Sequence, residues 1–106
     1  MKKIINGKTY NTETAREIAA LYSSGLSKSD FRFWSEALYL TKKGVYFLHG
    51  EGGAMTQWAT KNGDGSTSWG RDIVALSEAE ALSWAENRAV NADVIETEFS
   101  HLIEEA

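Results

Sequence analysis

Two histidines, His49 and His101, are the only imidazoles in this chain, and there is no cysteine. General acid–base chemistry near neutral pH therefore points to His49, two residues before Glu51 in the run His49-Gly50-Glu51-Gly52-Gly53. A histidine beside a carboxylate can serve as a general base, and glycines allow a backbone to approach an anion closely. That reading needs a nucleophile or a second ligand, and none is identifiable. The same residues also describe a sharp turn at the end of a strand. His101 falls opposite the apolar stripe of its own predicted helix and reads as a solvated side chain.

Other chemical patterns stop short. A metal centre needs three or four convergent His, Asp or Glu ligands. The segment Asn62-Gly63-Asp64-Gly65-Ser66 lacks the alternating acids and terminal glutamate of a calcium loop, and reads as a turn. No phosphate-binding Walker loop occurs, Gly50, Gly52 and Gly53 miss the dinucleotide spacing, and Ser68 does not sit in Gly-x-Ser-x-Gly. The expectation is a protein that is not an enzyme and uses no cofactor and no metal.

Charge is more informative than motif. The formal net charge is −4, yet residues 77–106 hold eight acids against Arg88 alone. An acidic helical surface steers basic partners and raises association rates. Glu80, Glu86, Glu96, Glu98 and Glu105 are the acids expected to form it. Trp84 lies about 160° from Leu82 on a helical wheel. It either widens the buried face or stands exposed as an aromatic anchor of the kind that dominates protein interfaces. In the other part of the chain, Lys2, Lys3, Lys8, Lys42 and Lys43 gather at two predicted hairpins. They can form a small phosphate-contacting patch, or protect sheet edges from aggregation.

These residues must be carried by elements. Ile5-Asn6-Gly7-Lys8 is a two-residue hairpin signal and predicts strands at 2–5 and 8–11. A first helix is expected from a cap at Asn11 or Thr12 to Gly25, because Ala15, Ile18, Ala19 and Tyr22 repeat at helical spacing. Residues 31–41 and 45–50 predict a second hairpin turned at Thr41-Lys42-Lys43-Gly44, and residues 50–55 a loop. The stretch 56–60 around Trp58 fits either a strand or a helical turn. Residues 72–76 read as a last strand. Ser77-Glu78-Ala79-Glu80 is a capping box opening a second helix, with Ala81, Leu82, Ala85 and Ala89 inward. Asp93 and Glu96 repeat that spacing for a third helix, with Ile95, Phe99, Leu102 and Ile103 inward. The fold class is α+β: one domain over residues 1–106, with a small antiparallel sheet of four to six strands and three helices mainly on one face.

Twelve aromatic residues argue against disorder, because they give the chain much apolar area to bury. Absence of cysteine fits a reducing cytoplasm, and no apolar run reaches the length of a membrane span. A monomer and a homodimer are both open.

Three segments resemble a family of small accessory proteins carried by phages, plasmids and integrative elements of Firmicutes. They are Ile4-Ile5-Asn6-Gly7-Lys8-Thr9-Tyr10-Asn11-Thr12-Glu13-Thr14-Ala15, Tyr46-Phe47-Leu48-His49-Gly50-Glu51-Gly52-Gly53 and Asp72-Ile73-Val74-Ala75-Leu76-Ser77-Glu78-Ala79-Glu80-Ala81. Some proteins in this neighbourhood are anti-CRISPR proteins. The resemblance implies an inhibitor of a host defence nuclease, for instance a type II RNA-guided one, acting on a protein or ribonucleoprotein in the bacterial cytoplasm. The alternative is a nucleic-acid-binding accessory module that uses the lysine hairpins and the glycine loop. The resemblance carries no catalytic residues.

Overall fold

The computed structural model describes residues 1–106. Its first element is the hairpin of β1 (Lys2–Ile5) and β2 (Lys8–Asn11), paired antiparallel with Ile5 opposite Lys8. Asn6 and Gly7 turn it with φ of 50° and 77°, the left-handed pair that a type I′ turn requires.

The segment expected to be the first helix is a strand. After a turn over 12–15, β3 (Arg16–Tyr22) pairs antiparallel with β4 (Trp34–Leu40). The false helical signal has a physical source. The register slips between Glu17 and Ala19, a β-bulge, so Ile18 and Ala19 are consecutive half-buried positions. One extra residue breaks the period of two and leaves an apolar pattern that mimics i, i+3, i+4. Asn11 does accept a bond from the Glu13 N–H at 2.9 Å, as a helix cap would, but it closes only a turn.

β4 continues through the expected glycine-ended turn, with Gly44 at φ 84°, into β5 (Tyr46–Gly52). β5 is longer than expected: beyond His49, Glu51 and Gly52 also lie within the strand, and only Gly53 falls in the loop after it. A small hairpin of β6 (Thr60–Lys61) and β7 (Thr67–Ser68) encloses the turn at 62–66. β8 (Gly70–Leu76) then returns to pair with β5, giving a four-stranded antiparallel sheet in the order β3-β4-β5-β8.

Two helices follow, not three in all. α1 (Glu78–Asn87) opens on the predicted capping box, with Ser77 and Glu80 bonded reciprocally. α2 (Ala92–Glu98) is capped by Asn91 rather than Asp93, and a single 3-10 turn over Ser100–Leu102 continues it. Ile95 and Phe99 pack inward as expected, whereas Leu102 and Ile103 are exposed.

Both helices pack on one face of the sheet, where Leu38, Tyr46, Leu48 and Trp58 meet Ala81, Ala85 and Phe99. The opposite face is covered at one end only. There Tyr10 packs edge-on against Phe47, with Ile73 and Ile5 alongside. The order across the molecule is hairpin, sheet, helices. No helix is long and apolar enough to cross a membrane.

Candidate functional site

The polar centre of the molecule is Glu36, which the charge and motif patterns did not single out. Position parity puts Trp34, Glu36 and Leu38 of β4 on the helix-bearing face, so the carboxylate points into the core. Its side chain is 1% exposed. A buried carboxylate is tolerable only when charge and lone pairs are met. Oε1 accepts from Trp84 Nε1 at 2.8 Å and Arg88 Nε at 3.0 Å. Oε2 accepts from Trp58 Nε1 at 2.8 Å and Gln57 Nε2 at 2.9 Å. The Arg88 guanidinium also lies over the Trp34 ring, 3.8 Å from its centroid. Burial by itself pushes the Glu36 carboxyl up. The bonds from Trp84, Arg88 and Trp58, with the Arg88 charge, outweigh it and hold the group below the ordinary carboxylate range.

This arrangement explains two other features. Trp84 is half-buried, its indole N–H committed to Glu36, so it widens the inward face of α1. Gly50 and Gly52 of β5, and Gly53 just after it, admit protein. A Cβ on Gly50 would stand 1.9 Å from Trp58 Cε2, and one on Gly53 2.6 Å from the Phe31 carbonyl oxygen. On Gly52 it would meet Thr56 Oγ1 at 2.4 Å. Their small size lets the loop carrying Trp58 and the 30–33 backbone lie directly against the strand. A lone acid at an inward position of an aromatic strand, in a chain with four tryptophans, was the available signal for Glu36.

His49 and Glu51 lie on the other face of β5. His49 is half-buried between Ala37 and Ile73, and its Nε2 is buried without a hydrogen-bond partner. Burial holds the imidazole below its usual range. Glu51 opposes that shift, while the N-terminal amine and Arg71 reinforce it. Glu51 stands opposite Ser35 on one side and Arg71 on the other. No group of three or more His, Asp or Glu side chains is arranged to hold a metal ion.

The acids of the helical segment divide into two sets. Glu80 closes the capping box, Glu78 pairs with His101, and Glu98 bonds Arg16 (3.0 Å) and the Tyr46 hydroxyl (3.0 Å). Burial, then Glu98, pushes that phenol up to about 12. Glu86, Asp93, Glu96, Glu104 and Glu105 are exposed and make no ion pair. Arg88, the one base of residues 77–106, is turned in on Glu36. The lysines also converge: Lys8 of the first hairpin and Lys42 and Lys43 of the second line one cleft of about 650 Å³ with Thr9, Asn11 and Thr41.

No family model, curated protein or solved structure matches this chain.

Proposed function

We propose that this protein is a non-enzymatic inhibitor that docks the outer surface of its helical layer on a basic surface of a bacterial defence nuclease. One observation carries the docking mode. Arg88 is withdrawn into the Glu36 clamp, so Glu86, Asp93, Glu96, Glu104 and Glu105 face solvent without a compensating base from their own segment. An unbalanced acidic surface favours encounter with the cationic channels of nucleic-acid enzymes. The partner class rests on the resemblance of the three segments named above to anti-CRISPR proteins. A net charge of −4 is modest for duplex mimicry, so docking at one defined patch is the better description.

The test uses the acids that have no structural duty. Glu86→Lys, Glu96→Lys and Glu105→Lys together should weaken binding to a susceptible type II RNA-guided nuclease by about tenfold or more, at roughly 0.5–1 kcal/mol per charge. The wild-type association rate should also fall as salt is raised. Glu98 is unsuitable for this set, because its loss would also disturb Arg16 and Tyr46. Unaltered binding and unaltered salt response in the triple variant would remove the acidic layer from the mechanism.

A second reading is favoured by the lysine cleft. Two hairpins well separated in the chain converge on it, and Lys8, Lys42 and Lys43 make no ion pair. As a nucleic-acid module, the protein should bind a single-stranded oligonucleotide at low salt. The slope of log affinity against log salt should then become shallower by about 1.4 in Lys42→Ala/Lys43→Ala, at ~0.7 for each phosphate no longer neutralised. Fluorescence anisotropy decides it: no binding at low salt eliminates this reading.

A further inference from the structure

The two edges of the main sheet are treated differently. At the β8 edge, Lys3 from the first hairpin donates to the Ile73 carbonyl (3.4 Å) and pairs with Asp72 (2.7 Å). Charged side chains and a covering hairpin block strand addition there. The β3 edge has its charges, Arg16 and Glu17, and its bulge at one end only. The rest, Ala19-Ala20-Leu21-Tyr22 followed by Ser23 and Ser24, carries no charge and no proline.

The register identifies which backbone groups are open. Ser23 N–H donates to the Trp34 carbonyl at 3.0 Å and Trp34 N–H donates to the Ser23 hydroxyl at 3.2 Å, so the two residues face each other with their polar groups directed across the β3–β4 seam. Antiparallel ladders alternate bonded and non-bonded pairs. Leu21 and Glu36 are then bonded, as are Ala19 and Leu38, while Ala20 and Tyr22 point their N–H and C=O away from β4. Neither residue makes a backbone bond to any other part of the chain, and Tyr22 is 70% exposed.

We infer that this edge pairs antiparallel with the same edge of a second copy of the chain, making one continuous sheet across a two-fold axis. The register follows from the open groups. Pairing Ala20 with Tyr22 of the second copy, and Tyr22 with its Ala20, satisfies the outward N–H and C=O groups of these residues in both copies and places Leu21 beside its own mate on the axis. Directly opposed side chains share a face. Each exposed tyrosine ring therefore covers the small residues Ala20 and Ala37, in the part of the sheet that the first hairpin leaves open. The alternative register that pairs Tyr22 with its own copy puts two large rings together and leaves the alanines bare. A second copy is also the occupant that fits electrostatically. A basic partner gains nothing from a neutral strip, whereas an identical neutral strip brings no like charges into contact. This inference is independent of the acidic layer, which lies on the helix-bearing side.

The test is mass and amide exchange on the intact protein. Light scattering should report 11.7 kDa at low concentration and approach twice that as concentration rises. Ala20→Pro removes an outward N–H without touching the β3–β4 ladder, and proline is tolerated where a strand N–H faces solvent. This variant should stay at the monomer mass. Should it fail to fold, hydrogen exchange on the wild type decides the matter. Ala20 and Tyr22 amides should be protected in concentrated solution and lose at least about tenfold of that protection on dilution. A monomer at every concentration, with fast exchange at both amides throughout, overturns the inference. Dimerisation that persists in a folded Ala20→Pro variant overturns it equally. A mixed sheet formed only with an extended peptide of another protein, and never with a second copy, does so too.

Discussion

Replacing Glu36 with alanine should destabilise the protein by about 3–5 kcal/mol, enough to unfold a domain of ordinary marginal stability. The magnitude follows from what is left behind. Trp58 and Trp84 lose the acceptor for their indole N–H groups, Gln57 loses its partner, and the half-buried Arg88 loses its counter-ion. An intact buried ion pair adds little net stability over an apolar replacement, but removal of one member exposes the full desolvation cost of the other. Glu36→Gln keeps the volume but turns an NH2 toward one pair of donors, so most of the loss should remain. The acid limb gives an independent check. The folded-state pKa of Glu36 lies below its ordinary value of 4.5, so this contribution is complete above that pH and is lost as pH falls through the lower folded value. Urea midpoints measured from neutral pH to about pH 3 should fall less steeply in Glu36→Gln. Near-neutral stability in Glu36→Ala, or an acid slope unchanged in Glu36→Gln, would show that the clamp contributes little.

Gly50→Ala should cost a comparable amount, about 3–5 kcal/mol, despite adding only one methyl group. The new Cβ would occupy the place of the Trp58 ring, 1.9 Å from Cε2 and 2.1 Å from Cζ2. No rotamer change at position 50 can relieve a clash with a Cβ. Trp58 must leave its buried site and release Glu36, or the β4–β5 ladder must shift. A double-mutant cycle with Trp58→Ala separates the two outcomes. If the indole alone is the obstacle, the methyl group becomes nearly harmless once the ring is gone, and the two changes are far from additive. Additive losses would place the cost in the strand itself.

Local signals read well where geometry is set by a few neighbouring residues. Asn6-Gly7 turns as expected, Ser77 and Glu80 form their reciprocal cap, and residues 72–76 lie in a strand. The failures arise where distant partners decide. β3 exists because β4 offers it a ladder, and its bulge imitates helical spacing. Gly50 and Gly52 read as a loop, yet they lie in β5 and, with Gly53 just beyond it, form the surface on which Trp58 and the 30–33 backbone rest. The clamp is hidden for a related reason. Glu36 draws its donors from four positions, Gln57, Trp58, Trp84 and Arg88, up to 52 residues away, so no local window contains it. Of the acids expected on the helical surface, Glu80 and Glu98 have structural duties, Glu86 and Glu96 do not, and Glu105 lies past the last helical turn.

The layering of the molecule bears on how it would meet a charged surface. Three of the free acids, Glu86, Asp93 and Glu96, ride on the helices, whereas Lys8 belongs to the hairpin packed on the opposite side of the sheet. Such a separation gives the molecule an electric dipole with a component along the sheet normal. In the field of a cationic surface that dipole experiences a torque, so the protein would rotate to present its helices before contact rather than after it. A two-fold axis through paired β3 strands runs along the same normal. In-plane components of the two dipoles then cancel while the normal components add. Pairing two copies would leave a wider plate, negative on one side, whose orientation in the field is set more firmly than that of either half.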